Sequence, residues 1–183
     1  VSAKLVVLAG PSGVGKGTVV RELVRQKPQV FLSVSVTTRK PRPEESHDDH
    51  YIFLSEEEFE NEVQKGNLLE HAQFAGSMYG TPRKPVEERI KNDQTVVLEI
   101  DLQGARQIKK SMPEAFLVML KPPSIEELKR RLIERGTEKP EELELRLKVA
   151  MGELEAEKEF DAVVINEDVQ SAVGQLITLL HLK

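Results

Sequence analysis

The chain has 183 residues, a formal net charge of −5, 39% hydrophobic residues and no cysteine, which excludes disulfides and thiolate metal sites and argues against broad electrostatic binding of nucleic acid. The length suits one compact core and is short for two. With no tryptophan and only two tyrosines, stacking platforms for single strands are scarce.

The first apolar run, Leu5–Ala9, reads as a buried strand, too short for a signal peptide. No run approaches the ~20 apolar residues of a membrane span, so a soluble cytoplasmic protein is expected. The run leads into Gly10-Pro11-Ser12-Gly13-Val14-Gly15-Lys16-Gly17-Thr18, and Val20, Leu23 and Val24 then recur at helical spacing. A strand, a glycine-rich loop and a helix start aim several backbone N–H groups at one anion, with Lys16 and the helix dipole adding positive charge. Gly10 to Lys16 has the Walker A spacing. The pattern departs after Lys16, where Gly17 replaces the usual hydroxyl and Thr18 supplies one a residue later.

Four further apolar runs, at 32–36, 96–100, 116–120 and 162–165, are expected to join the first in a sheet. They lack polar alternation and helical patterns lie between most of them, so the fold class is α/β with a central parallel sheet flanked by helices. Ser55-Glu56-Glu57-Glu58 and Ser124-Ile125-Glu126-Glu127 each fit a capping box, Gly66 fits a helix stop, and Asp168 fits the cap of a last helix. Two stretches fit the layered core poorly. Residues 37–82 hold Pro41, Pro43 and short aromatic pieces such as Tyr51-Ile52-Phe53, and read as an inserted subdomain with antiparallel strands. Residues 124–160 hold two charged helices broken around Gly136 and Pro140, as a mobile lid would need. The core is then 1–36, 83–123 and 161–183 of a single domain.

A phosphate loop leaves the second substrate open, and the basic turn after residue 36 bears on it. Arg39 and Arg42 stand three residues apart behind a run of hydroxyls and suit a bidentate clamp on one phosphate. Asp101 ends an apolar strand, where α/β sheets present ligand-facing groups, and Glu99 lies on the same strand face. Beside the packed side marked by Leu128 and Leu132, Arg131 and Arg135 stand one helical turn apart, with Arg130 pointing away. His47 and His50 lack a third ligand and read as loop.

Thr37-Thr38-Arg39-x-Pro41-Arg42-Pro43, Tyr51, Glu70, Gly76-x-x-Tyr79-Gly80-Thr81-Pro82, Glu99-Ile100-Asp101-x-Gln103-Gly104, Pro122-Pro123-Ser124, Arg135-Gly136-Thr137 and Asn166-Glu167-Asp168 resemble the guanylate kinase family in order and spacing. The resemblance covers essentially the whole chain. It implies a P-loop kinase with an inserted GMP-binding subdomain and a helical lid, catalysing ATP + GMP to ADP + GDP with Mg2+. It places the loop residues Gly10 to Thr18 on ATP, with Asn166 on the adenine side. Arg39, Arg42, Tyr51 and Tyr79 fall on the GMP phosphate, Ser35, Glu70 and Thr81 on guanine, and Glu99 near GMP. Asp101 and Thr18 fall in the magnesium shell, directly or by way of water. Lys16, Arg39, Arg131, Arg135 and Arg146 would neutralise charge on the transferring phosphoryl group. The partners implied are small molecules, ATP and GMP or dGMP, with no nucleic acid, membrane or obligate protein partner. His71 and Ser77-Met78 depart from commoner family residues and are expected to bear on packing around guanine. The alternative is a non-catalytic, guanylate-kinase-like interaction module, against which stand the intact loop and Ser35.

Overall fold

The computed structural model describes residues 4–41, 51–135 and 140–182, the side chains of 135 and 140–142 excepted. In chain order these form β1 (Leu5–Ala9), α1 (Lys16–Gln26), β2 (Phe31–Leu32), β3 (Ser35–Thr37), β4 (Tyr51–Phe53), α2 (Glu56–Gln64), β5 (Leu68–Phe74), β6 (Ser77–Pro82) and α3 (Arg83–Lys91). There follow β7 (Val96–Glu99), α4 (Leu102–Ser111), β8 (Phe116–Lys121), α5 (Ile125–Arg135), α6 (Pro140–Glu155), a short 3-10 turn (Ala156–Glu159), β9 (Ala162–Ile165) and α7 (Val169–Leu179).

All five residues of β1 are buried, as an apolar run without alternation requires when both sheet faces are covered. The strand is central in a parallel sheet of order β2-β7-β1-β8-β9. Alternate side chains divide between two cores. Val6, Leu8, Val97, Val118, Leu120 and Val164 face α1, α5 and α7, packing on Val20, Leu23, Leu128, Leu132, Val173 and Leu176. Leu5, Val7, Val96, Leu98 and Leu117 face α3 and α4, packing on Val86, Ala105 and Ile108.

The run at 32–36 is not the single core strand expected. Its first residue ends β2, which pairs with β7 through Phe31↔Val96 and Leu32↔Val97. Ser33 N–H still reaches the Val97 carbonyl at 3.0 Å. The chain then crosses to a second sheet of order β4-β3-β6-β5 at Ser35, two residues ahead of the expected boundary at 37. Apolar character alone could not register this change of sheet. Within the second sheet β3–β6 and β5–β6 are antiparallel, as expected, whereas β3–β4 is parallel, a correction to the antiparallel reading of residues 51–53.

The punctuation is largely as the sequence dictates. Ser55 and Glu58 form a reciprocal capping box on α2. Gly66, at φ +67°, ends that helix with Gly66 N–H on the Val63 carbonyl and Asn67 N–H on that of Glu62, a Schellman arrangement. Asp168 caps α7 by accepting from Ser171 N–H at 2.9 Å. At α5 only half the expected box forms. Ser124 Oγ accepts from Glu127 N–H at 3.1 Å, but the Glu127 carboxylate turns to Arg130 and Arg131.

Leu120 is fully buried between β1 and α5, so Leu120→Ala should destabilise the protein by about 2–5 kcal/mol in urea unfolding. Gly66→Ala, with nothing within 4 Å of the added methyl, should lose only the backbone term of about 1–2 kcal/mol.

Candidate functional site

The phosphate loop starts where β1 ends, and its shape is set by crowding on one side. Gly10 has φ +152°, and a Cβ there would lie 2.3 Å from the Leu120 carbonyl oxygen of β8. Gly15 caps α1 in the left-handed region at φ 95°, ψ 22°. The Lys16 ammonium folds back into the loop, donating to the carbonyls of Gly10 at 2.6 Å and Pro11 at 3.3 Å. The departure at Gly17 has a steric counterpart. An added Cβ would come within 3.3 Å of both Glu99 carboxylate oxygens and of Arg21 Nη1. Thr18 is exposed on the first turn of α1.

Strand ends deliver three more groups to the same edge of the sheet. Glu99 closes β7, and burial pushes its carboxyl above the ordinary range while Lys16 and Arg21 pull it down. Asp101 accepts from Gly104 N–H at 2.8 Å and so caps α4, a structural task its spacing did not reveal. Asn166, 3% exposed after β9, donates Nδ2 to the Val14 carbonyl at 2.8 Å, and its Oδ1 is buried without a partner among the described residues.

The second sheet is two-faced because side chains alternate along each strand. Val36, Leu68, Ile52 and Met78 pack toward Phe59 and Val63 of α2. The opposite face follows from register: Ser35 opposes Tyr51, Thr37 opposes Tyr79, and Glu70 opposes Thr81. Tyr79 lies edge-on to Tyr51 at 6.0 Å between centroids, and the Arg39 guanidinium sits 5.4 Å from the Tyr51 ring. Two threonines fix the turn that launches Arg39. Thr37 Oγ1 donates to the Met78 carbonyl at 2.9 Å and accepts from Arg39 N–H, and Thr38 Oγ1 accepts from Met78 N–H.

Glu70 is 5% exposed, and Thr81 Oγ1 donates to its Oε1 at 2.6 Å. Burial, reinforced by the negative charge of Asp101, raises its carboxyl to about 7 against the opposing Thr81 hydrogen bond. Its other oxygen lies over Gly104 in the first turn of α4, where a Cβ would come within 2.6 Å. Gln107 ties the same two elements, exchanging hydrogen bonds with the backbone of His71. The His71 ring stands edge-on to Phe59 at 6.5 Å, so this departure and Met78 fall on the α2 side, away from the face bearing Glu70.

From the helical pair, Arg146 of α6 donates to Ser12 Oγ at 3.1 Å and lies 5.9 Å from the Phe74 ring. Arg131 of α5 is bonded within the protein. Its guanidinium donates to Glu127 and to the carbonyls of Val14, Asn166 and Glu167, stapling α5 to the loop and to the segment after β9. Arg130 pairs with Glu127 and Glu134 on the outer face, as read. Arg42, His47, His50, Gly136 and Thr137 lie outside the described residues, as does the side chain of Arg135. The sequence reading passed over Arg21 and Glu153. Each is one charge among many on a helix, and only folding brings Arg21 beside Glu99 and lets Glu153 feel the charge of Lys16. Among the described residues, no helix is long and apolar enough to cross a membrane.

Comparison with known proteins accords with this geometry. The family model described as "Guanylate kinase" matches residues 2–182. A guanylate kinase of Synechococcus sp. (strain CC9311) is 53% identical over 180 residues, covering 98% of this chain and 95% of its own. One of Thermobifida fusca (strain YX) is 55% identical over 177 residues, with 97% and 90% covered. A crystal structure of guanylate kinase from Anaplasma phagocytophilum superposes with a TM-score of 0.82 at 31% identity, covering 98% of this chain and 85% of that one. From the phosphate loop to the last helix, the chain belongs to the guanylate kinase family.

Proposed function

We propose that this chain carries out the reaction of its family in the cytoplasm, moving the γ-phosphoryl group of ATP to GMP or dGMP, with residues 37–82 receiving the acceptor and 124–160 acting as lid. The observation that carries the acceptor assignment is the buried Glu70–Thr81 pair, which lies on the same sheet face as Arg39, Tyr51 and Tyr79. Guanine offers N1–H and N2–H donors beside the O6 acceptor, so a carboxylate suits its donors and a hydroxyl suits O6. Thr81 and Ser35 supply hydroxyls, and Arg39 with the two tyrosines takes the phosphate, joined by Arg42.

On the donor side, the loop N–H groups and Lys16 hold the phosphates of ATP, and Asn166 serves the adenine side. Phosphoryl transfer asks the protein for positioning and charge neutralisation more than for covalent chemistry. Lys16, Arg39, Arg131, Arg135 and Arg146 supply that charge, Arg131 also holding α5 to the loop through the Val14 carbonyl. Mg2+ takes few protein oxygens and shares the rest of its shell with phosphates and water. The oxygen donors at the loop, Asp101 at the end of β7 and the accessible Thr18, fit that habit and would hold the ion, which neutralises phosphate charge when bound. Glu99, desolvated between Lys16 and Arg21, lies on the acceptor's route to the loop. Nothing favours the non-catalytic alternative.

Turnover with ATP, GMP and Mg2+ in a coupled ADP assay should disappear in Lys16→Ala, whereas near wild-type rates would remove the loop from the donor site. Base choice tests Glu70. Adenine, with a lone pair at N1 and no N2 amine, leaves a desolvated carboxylate facing an acceptor, and such unpaired groups can discriminate by on the order of 10⁴. Glu70→Ala should therefore lower kcat/KM for GMP sharply and narrow its lead over AMP. Equal losses for both bases would make Glu70 merely structural.

The raised carboxyl of Glu70 gives a pH test with a defined sign. Its folded pKa of about 7 exceeds the ordinary 4.5, so the folded protein holds the extra proton between these values and loses stability as pH rises through that window. GMP needs the ionised form, so its affinity should rise with pH, by about tenfold per unit below 7, and level off above it. Glu70→Gln should flatten both profiles.

A further inference from the structure

The α5–α6 pair presents a single inward face to the phosphate loop, and a carboxylate stands on it that the reaction scheme has not used. Along α6, Leu143, Arg146, Leu147, Ala150, Glu153 and Leu154 are buried or half-buried, while Leu145, Val149 and Met151 are exposed. The spacing i, i+3, i+4, i+7 places Arg146, Ala150 and Glu153 on one side of the helix. Two of these residues fix where that side points. Arg146 donates to Ser12 Oγ in the loop at 3.1 Å, and Ala150, 2% exposed, packs into the core that contains Val14, Leu128 and Leu132. Glu153, two turns beyond Arg146, therefore faces the loop.

The charges acting on it agree with that placement. Lys16 attracts the Glu153 carboxylate more strongly than Asp101 repels it, and burial raises the carboxyl above its ordinary range. Glu99 acts on the same ammonium. Lys16 thus donates to the carbonyls of Gly10 and Pro11 and is attracted through space by a carboxylate from β7 and a carboxylate from α6. The ATP phosphates bring negative charge to this same cation, and two anions cannot share one ammonium at full strength.

We propose that Glu153 is a positioning residue that acts through Lys16, holding the ammonium while the loop is empty and giving it up to the phosphates of ATP or ADP. The inference rests on the donor-site reading above. Glu153 and nucleotide compete for one cation, so the residue lowers nucleotide affinity and speeds product release.

Glu153→Gln keeps the shape and removes the charge, and should tighten both ATP and ADP by roughly threefold to tenfold in calorimetric titrations. Glu153→Asp, which keeps the charge, should stay within about twofold of the parent by the same reasoning. A purely structural residue would instead loosen nucleotide binding when changed, so unchanged or weaker affinity in Glu153→Gln overturns the proposal. A second measurement needs no nucleotide. Lys16→Met and Glu153→Gln should be non-additive in Tm, the double variant losing less than the two single losses together. Additive losses would mean that Glu153 does not act through Lys16, and would overturn the inference even if ATP tightened. The two readings fail separately. If Lys16→Met left ATP affinity intact while the Tm coupling persisted, the donor-site assignment would fall and the Lys16–Glu153 interaction would stand.

Discussion

The site depends on a close backbone approach at the end of β1. Gly10 lies so near β8 that even a methyl group would come within 2.3 Å of the Leu120 carbonyl oxygen. That approach is possible because β1 is flanked on both sides by parallel neighbours and buried along its length. It fixes the loop at the carboxyl ends of the strands, where Glu99 closes β7, Asp101 follows it and Asn166 follows β9. In an open α/β sheet these ends are where ligands bind. The helical pair is then registered on the loop by Arg131, which holds the Val14 carbonyl, and by Arg146, which holds Ser12.

Burial shapes the electrostatics more than the number of charges does. Glu70, Glu99 and Glu153 are raised chiefly by desolvation, whereas exposed carboxylates such as Glu58 and Glu159 are lowered by their hydrogen bonds. The chain is acidic overall, yet the phosphate loop gathers Lys16 and Arg146 among carboxylates that are costly to keep ionised. The negative groups around the loop are thus the ones most reluctant to carry charge.

Much of this was legible in the sequence because it rests on local rules. The strand–loop–helix around Lys16, the capping box at Ser55, the stop at Gly66 and the cap at Asp168 each depend on a few neighbouring residues. The division of 32–36 between two sheets was not legible, since Val34 and Val36 are apolar whichever sheet receives them. Nor was the turn of Arg131 onto backbone carbonyls, which depends on how α5 meets the loop and the segment after β9. Residue spacing indicated Asp101 as a ligand candidate but not as the cap of α4. Glu153 escaped because Leu145, Val149 and Met151 are exposed, so hydrophobicity around α6 does not mark its inner side.

An irregularity in the second sheet carries a consequence for how the two sheets are joined. Pairing between β5 and β6 runs from Leu68↔Pro82 directly to Glu70↔Thr81, leaving Leu69 as an extra residue in the ladder. Strict alternation would put Leu68 and Glu70 on one face. The bulge lets Leu68 join the α2 core while Glu70 turns to the opposite face beside Thr81. Removing Leu69 would restore strict alternation and leave Glu70 opposite Thr81, so the extra residue serves the packing of Leu69 itself, which is buried with Leu98, Ile100 and Ala105 in the core of the first sheet. Three successive residues thus serve three surroundings, Leu68 the α2 core, Leu69 the core of the parallel sheet and Glu70 the face it shares with Thr81, so the second sheet is anchored to the first by the residue its own ladder leaves out.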